Sequence, residues 1–388
     1  MNTTIIKTMR WYGERDLLSL EDLRQAGITG IVTALHHIPV GDIWSPEEIK
    51  KTKDKIEAAG MSWDVVESLP VHENIKKRTG NYEELIENYK VSLKNLADQG
   101  IYTITYNFMP ILDWVRTDHR FKNAVGAEIL KYDPVKFKAF DLFMLKRPGA
   151  ESDYTEAQIA EAREKYDSLS EEERDVLKKS VMLGLPGSTV DFTTEDLLNQ
   201  LAEYKDIDES KLREHLVLFL KAVTPTADAV GAKLAIHPDD PPFSVLGLPR
   251  IVSTAADLNY IFSQIESTSC GLCYCTGSLG ANPANDLPQI FDTHKERVHF
   301  LHLRNVQKFE DGSFYESDHL DGDVPMKQVM RQIIDYTTAN GKRIPMRPDH
   351  GYLHALEKHK PYYVGYSFIG RLKGLAELTG LELGLQKN

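Results

Sequence analysis

Four residues in the second half of the chain are of types that bind divalent metal ions: His237, Cys275, His302 and Asp349. Two imidazoles, a thiolate and a carboxylate can surround one first-row divalent cation and leave coordination positions open for a substrate. Singly, each has an ordinary structural explanation, because a cysteine in a strand is usually a small core residue and an aspartate often caps a helix. Their joint occurrence at the ends of four predicted strands favours one metal site.

Those strands belong to a regular pattern of short apolar runs, rich in β-branched and aromatic residues, that alternate with amphipathic helical segments. The first strand leads into Trp11-Tyr12-Gly13 rather than a Gly-rich phosphate-binding turn, which argues against a doubly wound sheet. The pattern therefore predicts an α/β fold, a (β/α)8 TIM barrel, with its active site at the C-terminal ends of the strands. The eight predicted strands are Ile5 to Tyr12, Gly30 to Leu35, Ser62 to Glu67, Tyr102 to Asn107, Lys233 to His237, Gly271 to Cys275, Val298 to His302 and Arg343 to Asp349.

The three cysteines, Cys270, Cys273 and Cys275, lie within six residues of one another. Such close spacing cannot link distant parts of a fold, so we expect a reducing compartment, the cytoplasm, rather than a disulfide scaffold. Side chains alternate along a strand, so Cys273 shares a face with Cys275 and is expected lower in the barrel core, with Cys270 facing the helices. A C-x2-C-x-C zinc knuckle is a rival interpretation, but it lacks a second cysteine pair.

One connection is much longer than the others. About 125 residues separate predicted strands four and five, where a usual connection takes roughly 30. The segment is polar and rich in helix formers, so we interpret about 113–208 as a helical insertion on the barrel rim, within a single domain that spans 1–388. It is either a solvated addition, a lid over the site or a subunit contact.

Composition excludes several classes of function. The 388 residues are 41% hydrophobic and 27% charged, which suits a soluble protein with a large core. A formal net charge of -12 disfavours binding to phosphate backbones, so nucleic acid is not an expected partner. The N-terminus lacks the apolar core of a signal peptide, and no stretch approaches the roughly 18 apolar residues of a membrane span. An acidic barrel with a large insertion predicts a homodimer.

Polar side chains cluster at the predicted rim of the barrel. Arg304 and Asn305 follow strand seven, Arg347 lies inside strand eight, and His36 follows strand two. An arginine fork matches the two oxygens of a carboxylate. Many hydrogen-bonding groups and few apolar walls suit a small polyhydroxylated acid as the substrate. The exit of strand three contains Glu67, Ser68 and His72, which are expected either to contact the ligand or to orient the groups that do.

Nine sequence blocks occur in a fixed order along nearly the full chain, and together they are highly specific. They are MRWYG (9–13), ALHHIPVGDIW (34–44), WDVVESLPVHENIK (63–76), YNFMPILDWVRTD (106–118), IHPDDPP (236–242), CTGSLGANP (275–283), HLRN (302–305), RPDHG (347–351) and GYSFIGRLKGL (365–375). In these blocks the chain resembles the mannonate dehydratase family.

This resemblance implies a xylose-isomerase-like TIM barrel that converts D-mannonate to 2-keto-3-deoxy-D-gluconate, in hexuronate and glucuronate catabolism, with Mn²⁺ or Fe²⁺. It implies that the metal ligands are the His of IHPDD, the Cys of CTGS, the His of HLRN and the Asp of RPDHG. These are His237, Cys275, His302 and Asp349, the same four residues that their types and positions indicate.

The resemblance also implies a catalytic pair, His350 of RPDHG and Tyr366 of GYS. The two would share the proton transfers of a dehydration; histidine is the easier base near neutral pH and tyrosine the easier acid. Trp11 of MRWYG joins the expected substrate contacts. The long segment between strands four and five looks like that of the longer family members, where it packs over the site.

Three other functions are compatible with parts of the pattern. A metal-dependent isomerase or epimerase of the same barrel type would need two metal-bound carboxylates, whereas only Asp349 is evident. A metal-dependent endonuclease is disfavoured by the acidic balance of the chain. A non-catalytic sugar-acid binding protein would need neither four metal ligands nor the His/Tyr pair. The favoured prediction is a hydro-lyase.

Overall fold

The computed structural model describes residues 5–183 and 193–386 of the chain. Within these residues the strands, in chain order, are β1 (Ile5–Arg10), β2 (Gly30–Thr33), β3 (Ser62–Glu67), β4 (Thr103–Tyr106), β5 (Asp118–Lys122), β6 (Glu128–Tyr132), β7 (Lys233–Ile236), β8 (Cys270–Cys275), β9 (Val298–His302), β10 (Asn305–Lys308), β11 (Phe314–Ser317) and β12 (Ile344–Arg347). Eight strands close into a parallel barrel in the order β1-β12-β9-β8-β7-β4-β3-β2. The predicted (β/α)8 barrel is confirmed.

Helices connect the strands and bury apolar faces, as Ile49 and Ile56 of α2 illustrate. In chain order they are α1 (Leu20–Gln25), α2 (Pro46–Ala58), α3 (Glu73–Lys77), α4 (Tyr82–Asp98), α5 (Pro134–Ala139), α6 (Glu156–Ser168), α7 (Glu171–Met182), α8 (Thr194–Ala202), α9 (Glu209–Val230), α10 (Ala255–Ser263), α11 (Thr276–Gly280), α12 (Leu287–His294), α13 (Met326–Asn340) and α14 (Phe368–Leu385). Side chains such as Ser45, Asp208 and Thr254 cap helix N-termini by accepting backbone N–H groups. Among the described residues, no helix combines the length and the apolar character needed to cross a membrane.

A compact layer of side chains fills the barrel interior and forms the floor of the mouth. Its members come from five strands and are fully buried: Val32, Val65, Ala235, Cys273 and Phe300. Cys273 is thus a core residue, as predicted, and all three cysteines are buried and free. Because side chains alternate along a strand, Cys275 and His302 occupy the next inward positions toward the C-terminal end.

The segment 113–208 is only partly the helical insertion that the sequence predicts. It contains helices α5 to α8, but also a β-hairpin of β5 and β6. This hairpin joins an equally unpredicted hairpin, β10 and β11, in a four-stranded antiparallel sheet of order β10-β11-β6-β5. The prediction missed β5 because its sequence, DHRFK, is polar and lacks an apolar alternation. We call this four-stranded sheet the second sheet.

Two glycines let α14 approach the loop that follows β12. A Cβ on Gly370 would lie 2.3 Å from the backbone oxygen of Tyr352, and one on Gly351 would lie 2.3 Å from the backbone nitrogen of Arg371. Neither backbone atom can move without shifting its whole segment. The close approach allows Gly351 to pair in a parallel bridge with Tyr366, next to the predicted catalytic residues.

Gly370→Ala is therefore expected to lower the free energy of unfolding by about 1–3 kcal/mol, because overpacking forces the backbone apart. Gly380 lies in the same helix, and an added Cβ there would meet nothing within 4 Å. Gly380→Ala is expected to stabilise the protein by up to about 1 kcal/mol, through helix propensity alone. Urea denaturation of both variants measures the difference; equal effects would contradict the close-approach explanation.

Candidate active site and metal centre

The four predicted metal ligands meet at the C-terminal mouth of the barrel, because the strands that position them, β7, β8, β9 and β12, are consecutive neighbours. Cys275 and His302 end β8 and β9, His237 follows β7 directly, and Asp349 lies just beyond β12. The ligand atoms of Cys275, His302 and Asp349 lie within 4.8 Å of one another. The ring centroids of His237 and His302 are 5.1 Å apart. We call these four residues the ligand cluster.

Two ring nitrogens in the ligand cluster fit a metal-binding role. His302 Nδ1 is buried without a hydrogen-bond partner and lies 3.7 Å from Asp349 Oδ2. His237 Nδ1 lies 2.7 Å from the Pro238 carbonyl oxygen, so the other ring nitrogen, Nε2, is the one that could bind a metal beside Cys275. An unpaired buried polar atom costs about 1–3 kcal/mol, and a bound cation would remove that cost. Two nitrogens, a sulfur and a carboxylate suit a divalent first-row ion.

Cys275 is a better candidate for the sulfur ligand than Cys273. The Cys273 sulfur also lies within 4.8 Å of His237 and His302 ligand atoms, but it packs in the hydrophobic barrel layer, where burial raises the pKa of its thiol. Burial disfavours the Cys275 thiolate too, yet the Arg304 guanidinium and the His237 ring outweigh it and lower the pKa of this thiol well below its usual range. The thiolate is the form that binds metal.

Two arginines hold the carboxylate of Asp349. Arg304 Nε donates to Oδ2 at 2.7 Å, and Arg347 Nη1 lies 2.5 Å from Oδ1. Burial opposes the charge on Asp349, but these cations, Arg347 above all, keep the pKa of the carboxyl well below its usual range. Arg347 also donates to Glu67 at 2.7 and 3.0 Å, and Arg10 pairs with Glu67 at 3.0 Å. The carboxylates of the mouth are thus held ionised.

The two arginines predicted to contact substrate differ in how well their N–H groups are directed at protein carboxylates. Arg304 directs its guanidinium to Asp349, Glu316 and Asp240, so its donors are committed to protein carboxylates. Arg347 Nη1 is close to Asp349 but has no well-directed hydrogen bond. Arg347 is therefore the better placed of the two to bind a substrate carboxylate.

A cavity with about 410 Å³ of empty space, open solvent at its entrance included, lies against the ligand cluster. Its wall contains two buried polar atoms without a hydrogen-bond partner, Trp114 Nε1 and Thr105 Oγ1. A ligand with several hydroxyl groups would satisfy them. The lining residues are Glu67, Ser68, Thr105, Asn107, Met109, Asp113, Trp114, His237, Asp240, Arg304, Arg347, Asp349, His350 and Tyr366.

His350 and Tyr366, the predicted catalytic pair, both line this cavity. Their ring centroids are 5.0 Å apart, with the rings edge to face. Burial raises the pKa of Tyr366, so its phenol keeps its proton at neutral pH. His350 Nδ1 lies 2.9 and 2.8 Å from the two carboxylate oxygens of Glu316. The geometry thus places an imidazole and a phenol side by side next to the ligand cluster.

Three predicted substrate contacts, Trp11, His36 and Asn305, lie outside the wall of this cavity. Trp11 belongs to the hydrophobic core, and the side-chain amide of Asn305 bonds to backbone groups of the loop before α13. His36 packs against Tyr12, and burial lowers the pKa of its ring to about 3. The part of these three residues in substrate binding stays a prediction.

Sequence reasoning missed Trp114, Arg116, Asp240 and Glu316 as candidate functional residues. Asp240, Trp114 and Arg116 lie inside quoted sequence blocks, but no rule of type or spacing singled them out. Arg116 is fully buried and donates to both oxygens of Asp240, at 2.6 and 3.1 Å. Four apolar residues around Asp113, at 111–115, were the available signal that this part of the insertion is buried. Glu316 lies in the unpredicted β11.

A closed (β/α)8 barrel with nitrogen, sulfur and carboxylate donors beside a polar cavity at its mouth defines a barrel enzyme with a candidate metal centre. The family model described as D-mannonate dehydratase (UxuA) matches residues 5–388. A mannonate dehydratase from Marinomonas sp. (strain MWYL1) is 48% identical over 388 residues, which cover 98% of this chain and 98% of that protein. The chain belongs to the D-mannonate dehydratase family, and it is an enzyme of the hydro-lyase class.

Solved structures agree with this assignment. The crystal structure of mannonate dehydratase from Streptococcus suis serotype 2 is 31% identical and aligns with a TM-score of 0.79 over 98% of this chain and 95% of that one. A xylose isomerase-like TIM barrel protein from Mycobacterium smegmatis is 12% identical, with a TM-score of 0.52 over 100% of both chains, which shows a shared fold alone. The xylose-isomerase-like barrel implied by the sequence is confirmed.

Proposed function

We propose that the chain removes water from D-mannonate to give 2-dehydro-3-deoxy-D-gluconate, with one divalent cation, Mn²⁺ or Fe²⁺, in the ligand cluster. One observation carries this proposal: four metal donors converge beside a polar cavity that also contains His350 and Tyr366. The relatives from Marinomonas and Streptococcus suis are named mannonate dehydratases, which supports this substrate. A place in hexuronate catabolism, a homodimer and a cytoplasmic location complete the proposal on sequence grounds.

The ligand cluster and Arg347 would bind different parts of the sugar acid. When bound, a divalent cation supplies Lewis-acid stabilisation of negative charge on the reacting oxygens, worth several kcal/mol. Arg347 Nη1, which has no well-directed partner, would donate to the substrate carboxylate. Trp114 Nε1 and Thr105 Oγ1 would bind hydroxyl groups along the sugar chain. The cavity thus matches the polar character of the substrate.

Dehydration requires one proton to leave C2 and another to reach the hydroxyl on C3. We assign the first transfer to His350, since imidazole is the better base near neutral pH, and the second to Tyr366, whose raised pKa keeps it protonated. As the C2–H bond breaks, its electrons form the C2–C3 double bond, and the C3 hydroxyl leaves as water with the phenol proton. The resulting enol takes a proton at C3 and loses the proton of its C2 hydroxyl group, which gives the ketone.

The isomerase or epimerase alternative is less well supported. It would need a second carboxylate on the metal. Glu67 lies 3.4 Å from His302 Nε2, but it is ion-paired to both Arg10 and Arg347. Among the described residues, Asp349 and not Glu67 belongs to a group whose possible ligand atoms lie within 4.8 Å of one another, so we take Asp349 as the carboxylate of the ligand cluster.

Protein stripped with a chelator and resupplied with Mn²⁺ is expected to form a 2-keto-3-deoxy acid from D-mannonate, because the ligand cluster needs its cation for Lewis-acid stabilisation. The product is followed by a colorimetric assay for 2-keto-3-deoxy acids, with the stripped protein as the blank. Aldoses and ketoses, incubated in parallel, test the alternative. Interconversion of those sugars without keto acid from D-mannonate would overturn the proposed function.

A further inference from the structure

Glu316, on β11, is the buried partner of His350. Its Oε1 and Oε2 lie 2.9 and 2.8 Å from His350 Nδ1, and the residue is 8% exposed. A carboxylate only accepts hydrogen bonds, so Nδ1 must be the ring nitrogen that carries a proton toward it. Nε2 is then the nitrogen left to exchange a proton, and it lies 3.7 Å from Asp349 Oδ1, beside the ligand cluster.

Two buried arginines fix the carboxylate of Glu316. Arg116 Nη2 donates to it at 3.0 Å and Arg304 Nη1 at 3.2 Å. Burial opposes ionisation, but His350, Arg304 and Arg116 lower the pKa of Glu316 to about 2. Arg116 is anchored in turn by Asp240. Rotation of Glu316 away from His350 would leave two buried cations with fewer partners, which is costly.

The second sheet positions Glu316. Strand β11 pairs with β6 of the insertion through Phe314↔Tyr132 and Tyr315↔Lys131. Arg116 lies just before β5, so the insertion supplies both a strand beside Glu316 and a cation against its carboxylate. Glu316 does not lie on a barrel strand, which explains why the ends of the predicted barrel strands did not indicate it.

We propose that Glu316 is a positioning residue for His350, which fixes the ring with Nδ1 protonated and Nε2 toward the substrate, and that the insertion holds Glu316 in place. This inference rests on the proposed proton transfer by His350. The structural alternative is that Glu316 only neutralises Arg116 and Arg304. In that case its loss would lower stability without changing the protonation pattern of the His350 ring.

The direct test is the tautomer of His350 in the full-length protein loaded with diamagnetic Zn²⁺. Nitrogen-15 NMR of the histidine rings resolves Nδ1–H from Nε2–H, and the His350 signals are those absent from His350→Asn. We expect the Nδ1–H form in the wild type and its loss as the dominant form in Glu316→Gln. A wild-type ring protonated at Nε2 alone would overturn the proposal, whatever the protein does with D-mannonate.

Kinetics provide the second readout. Glu316→Gln is expected to lower kcat for D-mannonate at least about tenfold, which is less than the 10²–10⁴-fold contribution of the acid/base group itself, with KM and metal content little changed. The matched control is Glu128→Gln, a buried carboxylate of the second sheet that pairs with Arg120 and Lys358, and it should keep the wild-type kcat.

An unchanged kcat in Glu316→Gln, with lowered stability, would establish the structural alternative. Wild-type protein that does not turn over D-mannonate would remove the proposed function. The tautomer measurement would still decide whether Glu316 sets the protonation of the His350 ring, so the two failures are distinguishable.

Discussion

His237→Ala is expected to yield a folded protein that neither retains Mn²⁺ nor forms keto acid from D-mannonate. The substitution removes one of the four donors of the ligand cluster, at a site where the others are fixed by strand ends and by Arg304 and Arg347. A catalytic cation contributes several kcal/mol to transition-state stabilisation, and each 1.36 kcal/mol is a factor of ten in rate. The expected loss of turnover is therefore more than about a thousandfold.

Atomic absorption measures the metal content after dialysis, and circular dichroism measures the fold. Together they distinguish loss of metal from loss of fold. The control is His37→Ala, since His37 is exposed, pairs with Glu48 and does not line the cavity. This variant should bind Mn²⁺ and turn over D-mannonate like the wild type. A His237→Ala protein with a full complement of Mn²⁺ would show that the metal site lies elsewhere.

His350→Asn and Tyr366→Phe are expected to keep the metal and lose about 10²–10⁴-fold in kcat each, the usual contribution of a positioned acid or base. Both side chains line the cavity, but neither belongs to the ligand cluster. When both are measured on the same preparations, kcat should therefore fall while the metal content stays at the wild-type level. Loss of Mn²⁺ from either variant would contradict this division of roles.

Exchange of the C2 hydrogen of D-mannonate with deuterated water assigns the two steps. Tyr366→Phe should retain exchange because its base is intact, whereas His350→Asn should lose it. The opposite result would reverse the assignment of acid and base. Tyr363→Phe is the matched control: Tyr363 packs on Tyr12, with ring centroids 4.5 Å apart, and lies outside the cavity wall. It should keep wild-type turnover.

The barrel and its ligand cluster were predictable because both leave local traces in the sequence. Strands β3 and β9 have the predicted bounds. The last strand is shorter than predicted: β12 ends at Arg347, because Pro348 has no N–H to donate, and Asp349 adopts a positive φ of 66° beyond it. The Asp349 carboxylate still lies at the mouth of the barrel.

The second sheet and the charge network were not predictable from local pattern. Strand β6 pairs with β11, and these hydrogen bonds join two hairpins that no spacing rule connects. Whether an arginine is free for substrate depends on tertiary neighbours: the donors of Arg304 are taken by carboxylates that arrive from three separate places in the chain. Residue type alone could not separate Arg304 from Arg347.

The pairing of β6 with β11 also constrains how relatives of this enzyme can be recombined. A chimaera that takes residues 118–132 from one parent and 305–317 from another would pair two strands that did not evolve together. The same holds for the cations and carboxylates around those strands. Crossovers that leave both hairpins from the same parent avoid that mismatch. For gene shuffling, the two hairpins are therefore a single inherited unit, although three of the eight barrel strands lie between them in the chain.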